Sequence, residues 1–256
     1  MMHLRIALSF LTILPLGPKG LPERLAPAAL YFPLVGLLLG LALWGLDAGL
    51  REVFPVAVAS AIVLVALVIA TRALHIDGFL DSCDALFGAH TKERRLEILR
   101  DPHVGSFAVI GGACLLLVQW SSISSLPAGL RAEVLILFPC ISRWAMLLAM
   151  TAFPYARAEG LGAAFQRGKS YLLALIGLAV TVAAAILFSG WAGVVFVFVG
   201  SAAAFVLGRW IARLLGGLTG DSYGAVNELV ATAVLLTAVA LARETPSLFD
   251  APLAIG

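Results

Sequence analysis

Three aspartates recur at helical spacing in the block His75-Ile76-Asp77-Gly78-Phe79-Leu80-Asp81-Ser82-Cys83-Asp84-Ala85-Leu86-Phe87-Gly88. Positions i, i+4 and i+7 stack Asp77, Asp81 and Asp84 along one face of a helix. Like charges four apart destabilise even an exposed helix by roughly 0.2–0.5 kcal/mol per pair, so a cation is expected to hold them. Hard Mg²⁺, or Mn²⁺, prefers carboxylate oxygen and commonly joins protein carboxylates to substrate phosphates. The competing reading is a solvated helix face whose acids pair with Arg72, Arg94, Arg95 or Arg100. Phe79, Leu80, Leu86 and Phe87, interleaved with the acids, favour a half-buried place at a membrane edge, where a carboxylate needs a counter-charge.

Downstream lies Thr91-Lys92-Glu93-Arg94-Arg95-Leu96-Glu97-Ile98-Leu99-Arg100-Asp101-Pro102-His103-Val104-Gly105-Ser106-Phe107. Arg94, Arg95 and Arg100 can offer bidentate donors to phosphate, and the turn from Pro102 to Ser106 opens a helix whose free N–H groups favour anions. The same arginines also suit a plain positive anchor at a membrane surface, which is the reading we prefer for Lys92. His75, His90 and His103 lack metal-ligand spacing and are expected to be structural, not zinc ligands.

A second candidate wall is Gly216-Gly217-Leu218-Thr219-Gly220-Asp221-Ser222-Tyr223-Gly224-Ala225-Val226-Asn227-Glu228. Glycines such as Gly217 and Gly220 let backbone approach a ligand, and Thr219 or Asp221 can cap the helix that follows. Glu228 adds an acid further along. Gly217, Thr219 and Gly220 are therefore candidate phosphate-binding positions, alongside Arg94, Arg95 and Arg100.

What must position these groups is a membrane bundle. The 256 residues are 61% apolar and 12% charged, against about 45–50% and about 25% in soluble domains. Apolar runs of spanning length lie at roughly 28 to 50, 54 to 71, 104 to 123, 133 to 153, 171 to 189, 191 to 211 and 223 to 242, the fifth and sixth meeting in a tight turn at Gly190. The expected fold is all-α: a polytopic bundle of about seven transmembrane helices. Arg5 and the apolar run to Leu16 lack a cleavage pattern and are read as a short interfacial or re-entrant element, the alternative being an uncleaved signal anchor. No repeat or separable soluble part divides residues 1–256, so one domain is expected. Cys83, Cys114 and Cys140 show no metal or disulfide spacing.

Loop charge sets the orientation. An inside N-terminus puts Arg5, Lys19, Arg24, Arg72, Lys92, Arg94, Arg95, Arg100, Arg157, Arg167, Lys169, Arg209 and Arg213 in the cytoplasm and leaves Arg51, Arg131 and Arg243 outside. The segments from Arg72 to His103, Tyr155 to Ser170 and Arg213 to Ser222 then share the cytoplasmic side of an inner membrane. The basic residues form no clustered stripe, which argues against nucleic acid as a partner.

The aspartate block from Leu74, followed by Arg94 to Phe107, resembles the signature of the cobalamin synthase (adenosylcobinamide-GDP ribazoletransferase) family. Phe10-Leu11-Thr12-Ile13-Leu14-Pro15 and Gly216 to Ala225 are similar to its pattern too. Asp84-Ala85 stands where the family tends to Asp-Gly, a departure that keeps the carboxylate. The resemblance implies a Mg²⁺-dependent last assembly step of cobalamin, in which a hydroxyl of α-ribazole, or of its 5′-phosphate, attacks the phosphate linked to cobinamide and GMP leaves. It implies metal binding at Asp77, Asp81 and Asp84, with Asp101 and Asp221 as further catalytic candidates that bind metal or orient the hydroxyl. Expected partners are those two substrates and membrane lipid, with a homo-oligomer or other corrinoid-assembly enzymes as further associations.

Three rivals remain open. A CDP-alcohol phosphotransferase also carries an Asp-Gly-led carboxylate helix, but Asp81-Ser82 stands where that family has Ala-Arg. A cation-coupled transporter would place acids near the midplane of two related halves; here they gather at one edge. A structural scaffold would not need so many aspartates.

Overall fold

The computed structural model describes residues 1–18, 25–157, 161–244 and 249. Lys19 and Arg24, assigned above to the cytoplasmic side, lie outside the described residues. The elements are α1 (Met2–Leu11), α2 (Ala26–Ala29), α3 (Phe32–Arg51), α4 (Val56–Ala70), α5 (Leu74–Gly88), α6 (Lys92–Ile98), α7 (Ser106–Ser124), α8 (Ala128–Ala152), α9 (Leu161–Gln166), α10 (Tyr171–Leu215) and α11 (Gly220–Glu244). The only β pairing among the described residues is an isolated bridge between Tyr155 and Leu218. The fold is the expected all-α membrane bundle.

Five helices are long and apolar enough to cross a membrane, or six if the bent pair α4 and α5 is one span. The seven expected runs do not become seven separate helices for two reasons. α4 has 15 residues, about 22 Å of helix against a hydrocarbon core of about 30 Å. The fifth and sixth runs form one 45-residue element, interrupted at Gly190 by φ 54 and ψ −134, a conformation reserved for glycine. The chain reverses there: a side chain at Gly193 would strike the backbone of Ala185. α1, at 10 residues, is about 15 Å long and too short to span.

α8 is the hub. Of its apolar 18-residue stretch 94% is buried, against 33% for α7, because α3, α10 and α11 all pack on it. It can therefore carry charge where lipid-facing helices cannot. Arg131, expected in an outside loop, lies inside α8, fully buried. Its Nε and Nη2 donate to Asp47 Oδ2 and Oδ1 at 2.8 and 2.7 Å, Nη2 also reaches Ser60 Oγ at 2.8 Å, and Nη1 donates to the Ile123 carbonyl. Arg51 joins Asp47 from the end of α3 at 3.1 Å. Both arginines thus gather at one end of the bundle.

At the other end, α4 turns through 89° into α5. The corner is built from two successive left-handed residues, Arg72 (φ 53) and Ala73 (φ 55), each costing about 1–2 kcal/mol in an L-residue. What holds it is the N-terminal segment: the Ile13 N–H donates to Ala70 O at 2.8 Å, and Arg72 Nη2 donates to Ser9 O at 3.1 Å. α5 then crosses α11 at backbone contact. A Cβ on Gly78 would sit 2.9 Å from Asp221 Cα, and one on Gly224 would sit 2.8 Å from His75 O.

Two stability outcomes follow from these contacts. Asp47→Ala strands a buried guanidinium and should lower stability by about 3–5 kcal/mol, read as the unfolding midpoint in detergent; adding Arg131→Met should recover most of the loss. Gly78→Ala must part α5 from α11 and should cost about 1–3 kcal/mol. An unchanged midpoint in either single variant contradicts the contact it tests.

Candidate active site

α5 carries Asp77, Asp81 and Asp84 as the spacing predicts, Asp77 exposed and the other two half-buried. Because α5 and α11 touch through glycine, Asp221 at the start of α11 comes up beside them. Asp77, Asp221 and Asp84 all act electrostatically on Asp81, and Arg157 is the opposing charge. Four carboxylates thus share one guanidinium.

Arg157 is held by a pairing of two loops. The Ala156 N–H donates to Leu218 O and the Leu218 N–H to Pro154 O, both at 2.8 Å. Gly217 makes this possible, since a side chain there would fall 2.8 Å from Ala156 N and Pro154 O. Arg157 Nη2 then donates to Asp221 Oδ2 at 3.3 Å and to Leu99 O at 3.2 Å, tying the α6 region to α11. Tyr155, on the same loop, stacks on Tyr223 with ring centroids 6.4 Å apart. Burial pushes its phenol above the ordinary value.

Thr219 is the cap of α11. Its Oγ1 accepts the Ser222 N–H at 3.2 Å, and its own N–H donates to Ser222 Oγ at 3.1 Å. It is fully buried, so its hydroxyl serves Asp221 and Ser222 and does not face a ligand. Gly217 likewise serves packing. A Cβ on Gly220 would meet nothing within 4 Å, which leaves its backbone the most approachable of the three.

The α5 acids divide by what they bind. Asp84 Oδ2 accepts the Gly105 N–H at 2.6 Å and Oδ1 the Ala108 N–H at 2.9 Å, so its charge sits on the N-terminus of α7, where the orphan N–H groups favour an anion. Asp77 and Asp81 have no side-chain partner among the described residues. None of Arg72, Arg94, Arg95 or Arg100 pairs with them. Arg72 serves Ser9, Arg94 forms an exposed pair with Glu97 at 2.7 Å, and Arg95 is half-buried with its Nε unpartnered. Arg100 is exposed. Lys92 lies over Gly216, its Nζ 2.5 Å from where a side chain there would begin.

Two expected acids fall outside this group. Asp101 Oδ1 accepts from His103 Nδ1 at 2.5 Å and from the His103 backbone N–H at 3.0 Å. These bonds, side chain first, hold its carboxyl below the ordinary range. Glu228 lies two turns along α11, bound to Gln119 Nε2 at 3.0 Å and to Asn227 at 3.1 Å.

Among the described residues no three His, Cys, Asp or Glu side chains converge as a ready metal cage. The donor chemistry nonetheless suits Mg²⁺, which takes one or two carboxylates and completes its octahedron with waters and substrate phosphates. Asp77 and Asp81 are the oxygens left free for that. The spacing already put these two on one helix face; it gave no sign of Arg157, which carries no local motif and meets Asp221 through the bridge from Tyr155 to Leu218.

The family model described as cobalamin-5-phosphate synthase matches residues 3–239. A Pseudomonas fluorescens protein named adenosylcobinamide-GDP ribazoletransferase is 39% identical over 234 residues, 90% of this chain and 96% of its own length. Proteins of the same name from Desulfitobacterium hafniense and Desulforamulus reducens are 38% identical over 94% of this chain and 36% identical over 91%. No solved structure matches. Coverage from α1 nearly to the end of α11 at this identity makes the chain a member of the cobalamin-5-phosphate synthase family.

Proposed function

We propose that this chain joins adenosylcobinamide-GDP to α-ribazole, or to α-ribazole 5′-phosphate, by phosphoryl transfer. A ribose hydroxyl oxygen bonds to the phosphorus that bears cobinamide, the bond to GMP breaks, and GMP departs with the electron pair. The observation that carries the reading is the unpartnered pair Asp77 and Asp81 facing Asp221, within a family whose curated relatives bear that name.

Phosphoryl transfer needs positioning and charge neutralisation more than covalent help from the protein. Mg²⁺, with Mn²⁺ as a substitute, would be held by Asp77 and Asp81 and would neutralise diphosphate oxygens when bound. Asp84 can assist only through lone pairs that the α7 N–H groups leave free. Asp221 spends Oδ2 on Arg157 and Thr219, which leaves Oδ1 to orient the attacking hydroxyl and accept its proton. Arg100 and Arg95 are the uncommitted donors for substrate phosphate; Arg94 must first leave Glu97. Asp101 is set apart by His103 and is the weakest of the proposed catalytic acids.

The positive-inside pattern supports an inner-membrane protein with its N-terminus and this site in the cytoplasm. It gains support from the meeting of all three segments assigned to that side: Arg157 touches Leu99, Tyr155 pairs with Leu218, and Lys92 covers Gly216. Self-association and contacts with other corrinoid-assembly enzymes stay as proposals resting on the family resemblance.

GMP release from adenosylcobinamide-GDP and α-ribazole, measured on purified protein in detergent, tests the reaction. Asp77→Ala and Asp81→Ala should each lower it by about 10²-fold or more, the loss of several kcal/mol of charge stabilisation, while membrane insertion persists. Asp84→Ala should also lower the unfolding midpoint, because it uncaps α7 at a cost of about 1 kcal/mol. Full activity in both Asp77→Ala and Asp81→Ala, or turnover of a CDP-alcohol and lipid acceptor instead, overturns the assignment. Calorimetric titration with Mg²⁺ or Mn²⁺ beside bound adenosylcobinamide-GDP should show binding that Asp77→Asn with Asp81→Asn abolishes; binding that survives both changes removes the metal from these residues.

A further inference from the structure

A cavity of about 160 Å³ opens beside the carboxylates, between α1, α5, α8, α9 and α11. Its apolar walls are Phe10, Phe165, Met146, Met150 and Tyr223, and Asp77 and Asp221 line it as well. The aromatic part is fixed: Phe10 and Phe165 lie with centroids 5.0 Å apart, and Gln166 Nε2 donates to the Tyr223 hydroxyl at 3.0 Å. A dry cavity of roughly 150 Å³ admits benzene, so this one suits a flat ring system and continues toward the acids.

One buried polar side chain in its lining lacks a partner among the described residues. His75 is 2% exposed and lines the cavity. Its Nδ1 lies 3.4 Å from Arg143 Nη2. A guanidinium only donates, so Nδ1 accepts and the ring proton resides on Nε2. That Nε2 is buried without any partner. His75 thus brings one buried, unpartnered N–H to a wall that otherwise combines aromatic and thioether surfaces with the carboxylates of Asp77 and Asp221.

We propose that this cavity receives the base of the acceptor nucleoside, with His75 Nε2–H donating to its free ring nitrogen and the ribose directed toward Asp77 and Asp221. The assignment rests on the ribazole reading above. Ribazole is a benzimidazole riboside, and its base is a flat, apolar bicycle with one accepting nitrogen and no ring N–H. An acyl chain would fill the volume and leave His75 unpaired.

The test is binding of α-ribazole and of its indole counterpart, in which C–H replaces the accepting nitrogen, to the full-length protein in detergent by titration calorimetry. The unaltered protein should bind ribazole about ten- to hundredfold tighter, the usual penalty for an unmet buried donor. His75→Leu should erase that preference, His75→Gln should restore part of it, and Met146→Trp should weaken both nucleosides by filling the cavity. Equal affinity for the two nucleosides in the unaltered protein overturns the proposal even if no variant folds. So does a preference that survives His75→Leu. GMP release run in parallel separates the two readings: turnover without nitrogen discrimination sinks the cavity assignment alone, and discrimination without turnover sinks the reaction alone.

Discussion

Negative charge gathered where two helices touch is the constraint from which the rest of this structure follows. Asp77, Asp81 and Asp84 are fixed on α5, and Asp221 on α11 would move away from them if the two helices were free to part. They are kept together because Gly78 and Gly224 let α5 and α11 meet backbone to backbone. Packing thus overrides repulsion, and the excess charge is only partly met by protein: Arg157 answers Asp221, and the α7 N-terminus answers Asp84. The two acids with no answer lie between them. Under the proposed reaction, this uncompensated anion at the edge of an apolar bundle is what a cation bound to substrate phosphate would neutralise.

The supports of this arrangement are themselves unusual for a membrane protein. α5 leaves α4 through two left-handed residues, a conformation that persists only when its surroundings over-determine it. Here the surroundings are α1 and the segment after it, which bond to Ala70 and Arg72. A short helix that cannot span is thereby given work: it fixes the corner that aims the carboxylates, and it lends Phe10 to the cavity beside them. On the opposite flank the loop at residues 154–157 lies along residues 216–219 as two short strands would, and this brings Arg157 to its partner. Both supports are irregular backbone at the end of the bundle, where such backbone can be tolerated.

Much of this was legible in the residues. Spans announce themselves by composition, and the bounds from hydropathy fall within a few residues of α3, α7, α8 and α11. Gly190 was visible as a turn because two apolar runs abut there. The aspartate helix was legible because three acids at i, i+4 and i+7 have one geometric meaning. The failures share a cause: each depends on a partner remote in sequence. Asp84 looked equivalent to Asp77 and Asp81 until α7 claimed it. Arg131 looked like a loop charge, although Asp47, 84 residues away, draws it into the core. Arg157 carried no pattern. Nothing near His75 in sequence announces Arg143 beside its Nδ1. Local chemistry such as the Thr219 cap is readable from order alone; ion pairing across the bundle is not.

The two buried arginines of α8 extend this point to the energetics of the whole. A guanidinium inside a bilayer-spanning bundle is tolerable only on a helix that protein surrounds, and α8 is such a helix. Arg131 is fully paired at the end away from the site, where it ties α3 to α8. Arg143, nearer the site, has a looser set: Ser142 Oγ at 3.1 Å, His75 at 3.4 Å, Glu228 as the opposing charge, and an Nε with no hydrogen-bond partner among the described residues. Its geometric consequence is to hold His75 with Nδ1 as the acceptor and Nε2 as the donor. The two arginines thus differ in kind: Arg131 closes an ion pair that ties α3 to α8, whereas Arg143 reaches across to α5 through His75.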